Sequence, residues 1–129
     1  MPVHAMNHFT VLSDDLDRTT AFYERILGLR IGERPPLGFP GAWMYAGEQA
    51  VLHIVAGRPL PASRAGVLDH MAFSGTGLPA TAALLREQGI EYVLRRLPGN
   101  GLWQMFFHDP SGARVEIDFD ASEPEPPAV

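Results

Sequence analysis

Asn7-His8-Phe9-Thr10-Val11, near the start of the chain, returns 62 positions later as Asp69-His70-Met71-Ala72-Phe73. Both stretches alternate like half-buried strands, and each is followed by a helix signature. After the first, Asp14-Asp15-Leu16-Asp17 supplies cap residues and first-turn acids, and Leu16, Thr20, Tyr23 and Leu27 recur at spacings of three and four until Gly28. After the second, a helix is predicted from Leu78 to Gln88, stopping at Gly89. At the same shift Leu16 meets Leu78, Thr19 meets Thr81 and Ala21 meets Ala83. Small changes of shift carry the match onward. Gly28-Leu29 meets Gly89-Ile90, Gly41-Ala42-Trp43 meets Gly101-Leu102-Trp103, and Val51-Leu52-His53-Ile54 meets Arg114-Val115-Glu116-Ile117.

Strands are predicted at His4–Ser13, Leu29–Glu33, Ala42–Ala46 and Ala50–Val55, and again at Asp69–Ser74, Tyr92–Arg96, Leu102–His108 and Arg114–Phe119. The chain is therefore expected to be one α+β domain over 1–129, built as two tandem βαβββ modules. Module one covers 4–56, a Pro-containing linker 57–66, module two 67–120, and a loose, disordered acidic tail 121–129.

Composition narrows the function classes. The 129 residues are 46% apolar and 19% charged, enough for one sizeable core. No cysteine is present, so disulfides, thiolate metal sites and cysteine nucleophiles fall away. All ten basic residues are Arg, which removes Schiff-base chemistry and a phosphate-loop lysine. A formal net charge of −5 with no basic run argues against nucleic acid or an anionic membrane as partner and for a small-molecule substrate. The N-terminus shows no basic segment leading an apolar stretch, and no window has the ~18 apolar residues of a membrane span, so a cytoplasmic protein is expected.

The repeat gathers scattered residues into a constellation. His8 and His70 occupy equivalent places in the opening strands, and His53 and Glu116 in the closing strands. Phe9, Val11, Leu52, Ile54, Met71, Phe73, Val115, Ile117 and Phe119 have the opposite parity, which turns bulky apolar residues toward the helices and the four metal-capable side chains to the other face. A blander reading makes each histidine an ordinary polar strand residue and leaves Glu116 and Asp118 in water. Internal repetition favours the constellation. His108, outside the repeat register, reads as a turn or rim residue.

These residues resemble the vicinal oxygen chelate superfamily, which includes glyoxalase I, methylmalonyl-CoA epimerase, extradiol dioxygenases and the fosfomycin- and bleomycin-resistance proteins. The resemblance runs from Met6 to Asp120. It rests on the two histidine pentapeptides, on Ala21-Phe22-Tyr23-Glu24-Arg25-Ile26-Leu27-Gly28-Leu29, and on Phe106-Phe107-His108-Asp109-Pro110-Ser111-Gly112-Ala113-Arg114-Val115-Glu116-Ile117. It implies paired four-stranded half-open cups, a curved eight-stranded half-barrel around a metal cavity, and a homodimer. It also implies His8, His70 and Glu116 as metal ligands. His53 falls at a further ligand position where glyoxalase I and the epimerase carry Glu or Gln, and as an imidazole it would be a different base at neutral pH.

Such a nitrogen and oxygen donor set suits one divalent transition metal, Fe, Mn, Co, Ni or Zn, rather than calcium. The expected activity is a glyoxalase-like lyase or isomerase reaction on a small oxygen-rich metabolite through a chelated enediolate, with Glu116 or His53 moving the proton. The alternatives are an Fe(II)-dependent dioxygenase and a bleomycin-type sequestering protein without catalysis. Trp43, Tyr45, Trp103 and Met105 are expected to wall the substrate pocket, with Phe39 as a lid. Arg95 or Arg96 would meet an anionic group, since only one of the two can face inward.

Overall fold

The computed structural model describes residues 2–128. Met1, which opens the N-terminal stretch, and Val129, which ends the expected tail, lie outside the described residues. The chain separates into two compact units, the first ending at Arg64 and the second beginning at Ala65, a division inside the expected linker.

The first unit contains β1 (Phe9–Leu12), α1 (Leu16–Leu27), β2 (Arg30–Gly32), β3 (Gly41–Ala46) and β4 (Gln49–Val55). The second contains β5 (Met71–Gly75), α2 (Leu78–Glu87), β6 (Val93–Arg96), β7 (Trp103–His108) and β8 (Arg114–Phe119). Each is a βαβββ module with one open four-stranded sheet, ordered β1-β4-β3-β2 and β5-β8-β7-β6. The architecture is α+β in two tandem modules, as the repeat predicts. The first strand is shorter than predicted, because its ladder begins only at Phe9, opposite Leu52.

The outer strand β1 runs parallel to β4, and β5 runs parallel to β8. In both units the crossover between these parallel strands contains a helix and two further strands. Phe9 faces Leu52 and Val11 faces Ile54; correspondingly, Met71 faces Val115 and Phe73 faces Ile117. These residues belong to the apolar face. Tyr23, Met44, Leu52 and Ile54 are sealed in the first unit, and Leu78, Leu85, Met105, Phe107 and Val115 in the second.

The helices are capped differently. The Asp15 side chain accepts from the Arg18 backbone N–H at 3.1 Å, as the sequence pattern implies. At the other end Gly28 takes a left-handed φ of 69°, open to glycine without a Cβ penalty, and its N–H returns to Glu24. Helix α2 is preceded at its cap position by Gly77, which has no side chain to cap with. Glu123 substitutes: its carboxylate accepts from the backbone N–H of Gly77 at 2.8 Å and of Leu78 at 3.0 Å. This places negative charge at the positive end of the helix dipole.

The first residues of the expected loose tail are thus bonded into the second unit. Arg96 donates to the Ala121 carbonyl, and the Trp103 indole N–H donates to the Glu123 carbonyl at 3.0 Å. Two charge-assisted bonds at a half-buried helix end imply that Glu123→Ala destabilises the second unit by about 2 kcal/mol. Asp15→Ala, which removes one cap, should cost about 1 kcal/mol. Urea unfolding monitored by circular dichroism measures both, with the larger loss expected for the residue that lies far from its helix in sequence.

Candidate functional site

The parallel ladders place the four candidate donors. His53 is the register partner of Thr10, and His8 stands two residues before Thr10 on the same side of the sheet. Glu116 is the partner of Ala72, and His70 stands two residues before it. The same diagonal relation therefore arises in both units, and in both the side chains meet. The His8 and His53 rings stack with centroids 3.6 Å apart and planes 15° from parallel. His70 Nε2 lies 2.8 Å from Glu116 Oε1.

The opposite nitrogen of each leading imidazole is held by the residue just before it. His8 Nδ1 lies 2.6 Å from Asn7 Oδ1, and His70 Nδ1 lies 2.7 Å from Asp69 Oδ2. An oxygen acceptor at Nδ1 fixes the proton there and directs the Nε2 edge to other work, as the outer partners of metal-binding histidines do. Asp69 is itself held by Arg114 at 2.6 Å, and the Arg114 guanidinium lies 4.4 Å over the Phe106 ring. The His70 hydrogen bond, aided by Arg114, keeps the Asp69 carboxyl below the usual carboxylate range.

Glu116 is only 4% exposed, which removes the reading of it as a solvated strand residue. Its second oxygen accepts from Gln104 Nε2 at 3.1 Å. Gln104 in turn faces Asp118 across the β7–β8 hairpin. Neither Gln104 Oε1 nor Asp118 Oδ1 has a hydrogen-bond partner. Burial, then a hydrogen bond with Glu116 and the repulsion of its charge, push the Asp118 carboxyl up to about 6. Gln104 and Asp118 were not among the predicted site residues. The signal for Asp118 was its parity with Glu116; Gln104 has none outside the hairpin register.

Strand pairing also redistributes the expected pocket. Trp43 faces His53 and, 63 positions further on in both cases, Phe106 faces Glu116. The equivalent of Trp43 is therefore Phe106, not Trp103. Directly paired residues share a face, so Trp103 opposite Phe119 and Met105 opposite Ile117 belong to the apolar side. Both are buried there, and neither lies on the Glu116 face.

Trp43 does share the His53 face, stacked at 4.0 Å and 10°. Tyr45 donates its hydroxyl to the Glu33 carbonyl at 2.6 Å and carries the Arg30 guanidinium 5.1 Å from its ring. Phe39 is 44% exposed on its loop, where Arg34 bonds its carbonyl and lies 5.1 Å from its ring. Arg95 faces Gln104 and so shares the side of Glu116, whereas Arg96 packs on Trp103 at 4.4 Å. His53 sits in a different balance: burial, then the neighbouring His8, hold its imidazole below the ordinary histidine value.

Among the described residues no group of three or more His, Asp or Glu is arranged to hold a metal ion. The donors come as pairs, one pair in each unit. The second pair fits a cation: adjacent ligands of an octahedral ion with bonds of about 2.1 Å stand about 3.0 Å apart, close to the observed His70–Glu116 separation. The unpartnered oxygens of Gln104 and Asp118 add acceptor density to the same face.

The profile of the Glyoxalase/Bleomycin resistance protein/Dioxygenase superfamily matches residues 5–117. The chain belongs to that superfamily. It is 31% identical to "Glyoxylase I 4" of Arabidopsis thaliana over 137 aligned positions, covering 99% of this chain and 79% of that protein. A glyoxalase family protein of Bacillus anthracis superposes with a TM-score of 0.74 at 21% identity, covering 92% of this chain and 96% of the other. A glyoxalase family protein of Enterococcus faecalis gives 0.67 at 28% identity, covering 92% and 99%. The superfamily chain keeps the glyoxalase fold in its strand order. Among its described residues, no helix is long and apolar enough to cross a membrane.

The raised Asp118 carboxyl has a stability consequence in metal-free protein. Its folded value lies above the unfolded one, so the favourable contribution is complete below about pH 4 and is lost as pH rises through about 6. In chelator-treated protein Asp118→Asn should therefore raise Tm relative to the parent at pH 7.5, by an amount equivalent to roughly 1–2 kcal/mol. The difference should close toward about pH 4. Calorimetry across that range measures the gap.

Proposed function

We propose that this superfamily member is a metal-dependent, glyoxalase-like lyase or isomerase acting on a small oxygen-rich substrate. The observation that carries the proposal is the His70–Glu116 contact of 2.8 Å, backed by Asp69 on the far side of the imidazole. A buried carboxylate and an oriented imidazole at this spacing supply two adjacent donors for a divalent transition metal. His8, oriented by Asn7 in the equivalent place of the first unit, is a donor of the same kind. The similarity to a protein named "Glyoxylase I 4" supports the lyase class.

When bound, the metal supplies Lewis acidity for proton transfer next to a carbonyl. The chain's own part is to hold donors and proton carriers at fixed positions. Glu116, gripped by Gln104 and His70, is placed to hold a proton at a carboxylate oxygen. Arg95, exposed on the same side of the sheet, provides a cation for a substrate carboxylate. Trp43 and Phe106, at equivalent register positions, offer flat apolar contacts in each unit.

A second reading, an Fe(II)-dependent dioxygenase, is favoured by one feature: the residue types of His8, His70 and Glu116, two histidines and one carboxylate, are those of the iron oxygenases. The experiment that separates the readings is metal analysis of protein purified without chelators, followed by assays with each metal. Turnover of a hemithioacetal with Ni(II) or Zn(II) is expected; oxygen uptake that requires Fe(II) would replace the first reading with the second. His70→Ala and Glu116→Ala should each weaken metal binding by more than about 100-fold, and Asp69→Ala by about 10–100-fold, measured by titration calorimetry. Unchanged affinity in all three would remove the metal site from these residues.

A further inference from the structure

The two equivalent pairs differ in what a cation could do with them. Imidazole coordinates through a lone pair in its ring plane, so the metal must lie near that plane. His8 and His53 are nearly parallel, with ring centroids 3.6 Å apart. An ion shared by both rings would lie out of each plane by roughly half the spacing, about 1.8 Å, against a bond of about 2.1 Å. The lone pairs would then miss the ion by more than about 50°. The rings as stacked cannot share one metal.

His53 is also enclosed from the other side. Trp43, its direct cross-strand partner, stacks on it at 4.0 Å with planes 10° apart. The three rings form a continuous pile in the order His8, His53, Trp43. Freeing the His53 lone pair for the His8 ion would require its ring to leave two stacked faces.

We propose that His53 is a positioning residue, the middle plate that fixes the ring plane of His8, and that it is not a metal ligand. This rests on the metal reading above, with His8 as the donor that His53 serves. Asn7 sets which His8 nitrogen carries the proton, and the stack sets the direction in which the other points. His8 then offers its free nitrogen in a fixed plane, and His53 offers none.

The test separates a ring from a ligand. His53→Phe keeps a flat ring between His8 and Trp43 and removes both nitrogens, whereas His53→Leu removes the plate as well. With Co(II) added to metal-free protein, His53→Phe is expected to bind within about threefold of the parent and to keep the same visible absorption spectrum. His53→Leu should bind about 10–100-fold more weakly, the range for residues that orient a ligand. Loss of Co(II) binding in His53→Phe to the level of His8→Ala, or a changed spectrum, would make His53 a ligand and overturn the proposal.

Metal-free protein gives an independent reading through the His8 ring-proton resonances, which the stacked neighbour shifts. They should move in His53→Leu and stay dispersed in His53→Phe. If the parent binds no metal, the metal reading fails by itself. Unmoved His8 resonances in His53→Leu would show that the plate is not positioning His8.

Discussion

The parallel ladder between the first and last strands of each unit is the constraint on which the site depends. Side chains on a strand alternate with period two, so a slip of one residue between β1 and β4 would carry His53 to the helix side and Leu52 into the open. Burial of Leu52, Ile54 and Val115 makes that slip costly. The apolar face thus holds the register, and the register brings a histidine against the closing strand twice over. No special loop is needed to bring the donors into contact; an unremarkable core positions them.

Burying Glu116 carries a desolvation penalty that the strand alone cannot offset. Its oxygens are met by Gln104 on one side and His70 on the other, and His70 is backed by Asp69 and Arg114. The chain of contacts runs from the deep carboxylate out to an exposed ion pair. The equivalent position in the first unit carries no charge of its own, and aromatic stacking takes the place of the hydrogen bonds. One backbone geometry therefore supports two kinds of pair, a polar one suited to hold a cation and a stacked one suited to hold an orientation.

Most of this organisation was legible because it is local or repeated. Asp15 caps its helix through an N–H three residues away, and the alternation around His8 and Glu116 is written in neighbouring residues, so element order, the helix boundary at Gly28 and the shared face within each pair could be read directly. Features set by pairing across turns could not. The turn lengths around β7 hide which residue faces Glu116, and matching Trp103 to Trp43 on residue identity chose the wrong side of the sheet; Phe106 is smaller and occupies the place. Glu123 was equally hidden. An acidic residue among prolines reads as tail until the fold brings it to an uncapped helix 45 positions earlier.

The difference between Asn7 and Asp69 bears on how the two imidazoles act. Each accepts a hydrogen bond from Nδ1 and so orients its ring, but Asp69 also brings a negative charge and Asn7 brings none. His70 thus has a carboxylate at each ring nitrogen, one exposed and one buried. His8 has an amide at Nδ1, and its ring lies in the stack. Flat ring contacts therefore hold one imidazole and a chain of charged contacts holds the other, at equivalent places in the two units.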